Sequence, residues 1–136
     1  MSSQTTWFIE ERVINVSIES ILRGYAADQL LQSIQSLMTN CKNQRRRLHV
    51  MVDVSKMQIS ETNAELLYNA LKPLMFDQQI RWIVFYGVNE ELRAIFKDVM
   101  FDLFCNPCVV LNSHETAVDF LYRKDSRLPS LVQQAS

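Results

Sequence analysis

Glycine is nearly missing from this chain. There are two in 136 residues, Gly24 and Gly87, where an ordinary protein would carry about 7%. Isolated glycines cannot form a dinucleotide fingerprint or a P-loop, since both need several backbone positions free of a Cβ around a phosphate. Histidine is equally sparse, with only His49 and His114. The three cysteines, Cys41, Cys105 and Cys108, are an odd number, and a closed zinc site needs four ligands. No apolar run approaches the ~18 residues of a membrane span. Met1 to Arg12 carries charges where a signal peptide would be apolar. Reduced thiols in a cytoplasmic protein are therefore expected. Charge is also nearly absent in the net: 14 Lys and Arg against 15 Asp and Glu leave −1. That gives no global field for nucleic acid or an anionic membrane surface.

What is present is ordinary globular material. Hydrophobic residues make up 48% and charged residues 21%, which argues against disorder. The length suits one domain able to bury its own core. Residues 1–127 read as that domain and 128–136 as a short, loosely held tail.

The hydrophobic period alternates along the chain between that of strands and that of helices. Trp7-Phe8-Ile9 and Val13 to Ile18 are two extended runs separated by Glu10-Glu11-Arg12, which predicts an antiparallel hairpin. From Tyr25 the period becomes helical, with Ala26, Leu30, Ile34, Leu37, Met38 and Cys41 on one face. A basic link, Lys42 to Arg47, follows. It lacks interleaved aromatics for base stacking and reads as a solvated patch near a helix end. Leu48 to Val54 predicts a strand buried on both faces. A helix opens near Glu61, and Pro73 limits or bends it near Lys72. Ile80 to Tyr86 is a second buried strand, closed by Gly87. Asn89 then caps a long helix with Glu90 and Glu91 in its first turn. Its stripe runs through Leu92, Ile95, Phe96, Val99, Met100, Leu103 and Phe104. Phe101 falls outside that stripe and is a candidate interaction face, for a partner or a second copy of the chain. Pro107 ends the helix, Cys108 to Leu111 is a short strand, and Ser113 caps a last helix to about Tyr122. The expected fold is α/β: a single domain with a mixed, mostly parallel sheet of about five strands and four helices. Its first strand lies antiparallel at an edge.

Few residues here suggest chemistry. Cys105-Asn106-Pro107-Cys108 leaves a helix and enters a strand, the reverse of the helix-start setting that activates a redox CxxC. Neither histidine stands with a Ser or Cys in a recognisable catalytic arrangement. The informative segment is Val50 to Thr62. A strand ends at Asp53-Val54-Ser55, a short loop follows, and Ser60-Glu61-Thr62 opens a helix. Ligands and switches in parallel α/β sheets sit at such carboxyl ends. A hydroxyl at a helix start tolerates a phosphate, because free N–H groups and the dipole favour the dianion. Plain capping by Ser60 or Thr62 is the competing explanation.

At this segment the chain resembles the STAS family, the domain of anti-sigma-factor antagonists and of sulphate-transporter tails. That family has a hydrophobic strand ending in Asp-x-Ser, an apolar linker, and Asp-Ser at a helix start. Val50 to Ser55 resembles the strand and its end, and Met57 and Ile59 fill the linker positions. Glu61 stands where the family has its acid and Thr62 where it has its phosphorylated Ser. Ala64 replaces the family's following Gly. The order of elements is similar from Trp7 to Tyr122.

The resemblance implies a non-enzymatic regulatory or scaffolding module with no cofactor. Asp53, Ser55, Ser60 and Glu61 would meet a partner protein such as a kinase or anti-sigma-like regulator, and Thr62 would be the phosphoacceptor. A homodimer is a further expectation. Two alternatives stand beside it. One is a small-ligand or lipid-binding module with Met57, Ile59 and Phe85 in its pocket walls. The other is a small enzyme using Asp53, His49 or Cys105 in a cleft.

Overall fold

The computed structural model describes residues 3–20, 24–99 and 107–129. The hairpin pairs β1 (Ser3–Ile9) with β2 (Val13–Ser20) in antiparallel register, Trp7 opposite Ile14. Its turn has no glycine, so Glu11 takes the positive φ of 58° that the turn demands. Arg12 N–H then closes the turn on Ile9 C=O at 2.9 Å.

After β2 the chain builds three parallel crossovers. They run through α1 (Gly24–Thr39), β3 (Leu48–Met57), α2 (Glu61–Met75), β4 (Ile80–Tyr86), α3 (Glu90–Val99) and β5 (Cys108–Val110), with α4 (His114–Lys124) last. The spatial order is β1-β2-β3-β4-β5. All pairs beyond the hairpin are parallel. This is the α/β fold with a five-stranded mixed sheet and four helices, the antiparallel strand at its edge.

Each crossover steps to the next strand in the same direction. Crossovers of one hand stepping one way lie on one face of a sheet, and the core confirms it. Val50, Val52 and Val54 of β3, with Ile83 and Phe85 of β4, pack with Leu30, Leu67, Leu71, Leu92 and Phe96 from α1, α2 and α3. The alternate residues Met51, Val84 and Tyr86 face the other way and pack with Ala117 and Leu121 of α4. The two-sided burial expected of β3 follows from this. Helices cover one of its faces and α4 the other, so odd and even positions are both sealed. Leu128 is buried in the second core, and Tyr122 Oη–H donates to Pro129 C=O. The chain is thus anchored up to the start of the segment read as a tail.

Several local expectations are met and some are shifted. Pro73 lies inside α2, which continues to Met75. Being in the last turn, it removes only one ladder bond, and Phe76 N–H closes the end on Pro73 C=O at 3.4 Å. Asn89 caps α3, accepting from Leu92 N–H at 2.8 Å. Ser113 and Thr116 form a reciprocal capping box on α4. Met100 to Asn106, and with them Phe101 and Cys105, lie outside the described residues.

Candidate functional site

β3 delivers the carboxyl-end motif. Asp53 is its sixth residue, paired across the sheet with Ser17 of β2 and Tyr86 of β4. Asp53 Oδ1 accepts two hydrogen bonds from Ser55, from the backbone N–H at 2.9 Å and from Oγ–H at 2.7 Å. The Asp-x-Ser pair is therefore one unit that shapes the end of the strand, with Ser55 exposed.

The helix-start half is built separately. Ser60 is the N-cap of α2 in an extended conformation, and its Oγ accepts from Asn63 N–H at 3.1 Å. Of the two capping candidates, Ser60 is the one used. Asn63 is buried at 2% exposure. Its side-chain amide donates to Gln58 C=O at 2.8 Å, pinning the linker to the helix. Glu61 and Thr62 occupy the first and second helical positions and both are exposed. Met57 is buried and Ile59 partly buried in the first core, and Phe85 is fully buried there against Phe96, ring centroids 6.0 Å apart. These three side chains are core material.

The adjoining loop completes the rim. Gly87 follows β4 with φ +78°, and a Cβ there would lie 2.7 Å from Ser55 Cβ. Only a glycine lets the two segments come so close. Beyond it lies a depression of about 800 Å³ lined by Ser55, Gly87, Asn89, Arg93 and Asn112 among others. Arg93 Nη2–H spans it, donating to Val110 C=O at 3.2 Å and to Asn112 Oδ1 at 3.3 Å. On the α4 side of the sheet, Tyr86 Oη–H donates to Asn15 Oδ1 at 2.9 Å. Burial, with the nearby Asp53 carboxylate, pushes the Tyr86 phenol up to about 12. The His114 ring stands edge-on to both Phe8 and Tyr86.

The structure thus brings Ser55 against Gly87 and places Ser60, Glu61 and Thr62 together on the same rim. It does not bring Asp53 to His49. Both are on β3 and face the same side, four residues apart, which is about 13 Å along a strand. His49 is instead fully buried and paired with Asp125 at 2.8 Å. Asn63, Gly87 and Arg93 were not read as site residues from the sequence. The rarity of glycine was a usable signal for Gly87. Nothing local distinguishes Asn63 or Arg93. Among the described residues no three His, Cys, Asp or Glu side chains gather as a metal would require. No described helix is long and apolar enough to cross a membrane. No protein-family model matches the chain, and comparison with curated proteins finds no match.

Proposed function

We propose that the chain is a non-enzymatic regulatory or scaffolding module of STAS-like type, which meets a partner protein through the rim joining the end of β3 to the start of α2. Asp53, Ser55, Ser60 and Glu61 shape or line the contact, and Thr62 is the phosphoacceptor. The observation that carries this reading is the placement of Thr62: exposed, in the first turn of a fifteen-residue helix whose cap is already supplied by Ser60. Its hydroxyl is not needed for capping. A phosphate there would add about −1.5 to −2 charges beside Glu61. The helix dipole would tolerate that charge, while a docked partner would be repelled or reoriented by it. The element order from β1 to α4 and the antiparallel edge strand also agree with this reading.

The test has two parts. Phosphopeptide mapping of the protein isolated from its own cells is expected to find phosphate on Thr62. A protein captured by the wild type and by Thr62→Ser is expected to be depleted at least about tenfold with Thr62→Glu, the scale set by a single unfavourable charge in a partly desolvated contact. Identical capture by all three forms, with Thr62 unmodified, would overturn the proposal.

A further inference from the structure

Six of the chain's nine arginines surround one cleft. Arg12 comes from the β1–β2 turn, Arg45, Arg46 and Arg47 from the link before β3, Arg81 from the start of β4, and Arg127 from just beyond α4. The cleft has a volume of about 620 Å³, within the range of small-ligand sites. It lies at the amino ends of the parallel strands, the edge opposite Ser60 and Thr62.

Convergence is the first reason to treat it as more than a solvated basic face. Four segments, remote in sequence, deliver guanidinium groups to one concavity. Hydrogen bonds hold part of its wall. Asp125 Oδ1 accepts from Arg127 N–H at 2.9 Å, Arg127 C=O accepts from Arg12 Nη1–H at 3.4 Å, and Asp125 Oδ2 takes the Nε2 side of the buried His49 at 2.8 Å. Charge is the second reason. The lining holds a single carboxylate, Asp125, which is already engaged. Among the described residues none of the six guanidiniums forms an ion pair. Concentrated positive charge in a chain of net charge −1 is self-repelling unless an anion compensates it. The third reason is the chemistry of the lining, which has no aromatic and no aliphatic side chain. Base stacking and apolar ligands have nothing to grip, whereas guanidinium forks match phosphate oxygens in pairs.

We infer that this cleft binds a small anion carrying two or more phosphate groups. One monovalent ion would leave most of the cluster uncompensated. An extended nucleic acid fits a concave site poorly, and it meets no favourable field from the rest of the chain. The inference is independent of the proposed switch at Thr62, which is on the other edge of the sheet.

Calorimetric titration of the full chain with inorganic tripolyphosphate tests it, with orthophosphate and a 20-nucleotide single strand of DNA as the other arms. Tripolyphosphate is expected to saturate one site and to bind at least about tenfold more tightly than orthophosphate, since it engages several forks at once. The double variant Arg47→Gln, Arg81→Gln changes two exposed side chains, and circular dichroism checks that it folds. It is expected to lose at least about tenfold in affinity. Arg123→Gln, exposed on α4 and outside the cleft, is expected to bind like the wild type. Absence of saturable binding, equal loss in Arg123→Gln, or tighter binding to the DNA strand than to tripolyphosphate would each overturn the inference.

Discussion

Gly87 shows most directly how one residue positions the rim. Its φ of +78° lies in the left-handed region, and the space beside its Cα is filled by the backbone and Cβ of Ser55. Left-handed backbone costs a side-chain-bearing residue roughly 1–2 kcal/mol. A Cβ at 2.7 Å from another Cβ forces a further shift. Gly87→Ala is therefore expected to destabilise the fold by about 2 kcal/mol or more, seen as a lower urea midpoint at constant slope. A midpoint equal to that of the wild type would mean that the loop does not press on Ser55. The sequence showed that glycine was rare but not which neighbour made it necessary, because the contact joins a residue of β3 to one just past the end of β4.

The element that matters most is α2. Its start is specified locally: Ser60 caps, Glu61 sits where the dipole favours an acid, and Asn63 returns a hydrogen bond to the linker. Removing the cap by Ser60→Ala is expected to cost about 1 kcal/mol, measured as a drop in thermal midpoint. Thr62→Glu should leave that midpoint unchanged or slightly higher, because it adds an acid to the first turn. The pair separates loss of the helix start from loss of partner contact. Nearly every element was legible in its period and caps. β3 and α4 ran longer than their most apolar stretches indicated, β3 to Met57 and α4 to Lys124. A sheet or core neighbour can extend an element beyond its own hydrophobic pattern, as Ser20 opposite Met57 does here.

For the whole molecule, the His49–Asp125 tie joins the start of β3 to the end of α4 across 76 residues of chain. Burial lowers the His49 pKa below its ordinary 6.5, outweighing the pull of Asp125 in the other direction. Burial alone would raise the Asp125 carboxyl, but hydrogen bonds from His49 and Arg127 hold it below its ordinary 3.8. The ionised carboxylate accepts only, so the imidazole carries its proton on Nε2. Both groups then act in the same direction. The neutral imidazole contributes fully above about pH 6.5, and that stability drains away as pH falls toward the lowered folded value. The Asp125 share is lost in turn as pH falls below 3.8 through its own depressed value. Chemical-denaturation stability is expected to be flat from pH 8 to 7 and to decline below about 6.5. His49→Gln, which can still donate to Asp125 but cannot ionise, should flatten the first part of that decline. An unchanged slope in the variant would assign the loss to other groups.

The sequence by itself determined the layering. Helical and extended periods depend on neighbours three, four or two residues away, so they are written locally, and alternation of the two leaves little choice but a parallel sheet with crossovers. It also narrowed the helix start to Ser60, Glu61 and Thr62, because a cap is a contact between residues only three places apart, though it left the cap itself open between Ser60 and Thr62. Only the tertiary structure decided what meets across distance: Gly87 against Ser55, His49 against Asp125, and six arginines from four segments around one cleft. Read singly, Arg45 to Arg47 looked like an exposed patch. Charge acts through space rather than along the chain, so their company became visible only once β2, β3, β4 and the end of α4 were brought to the same edge.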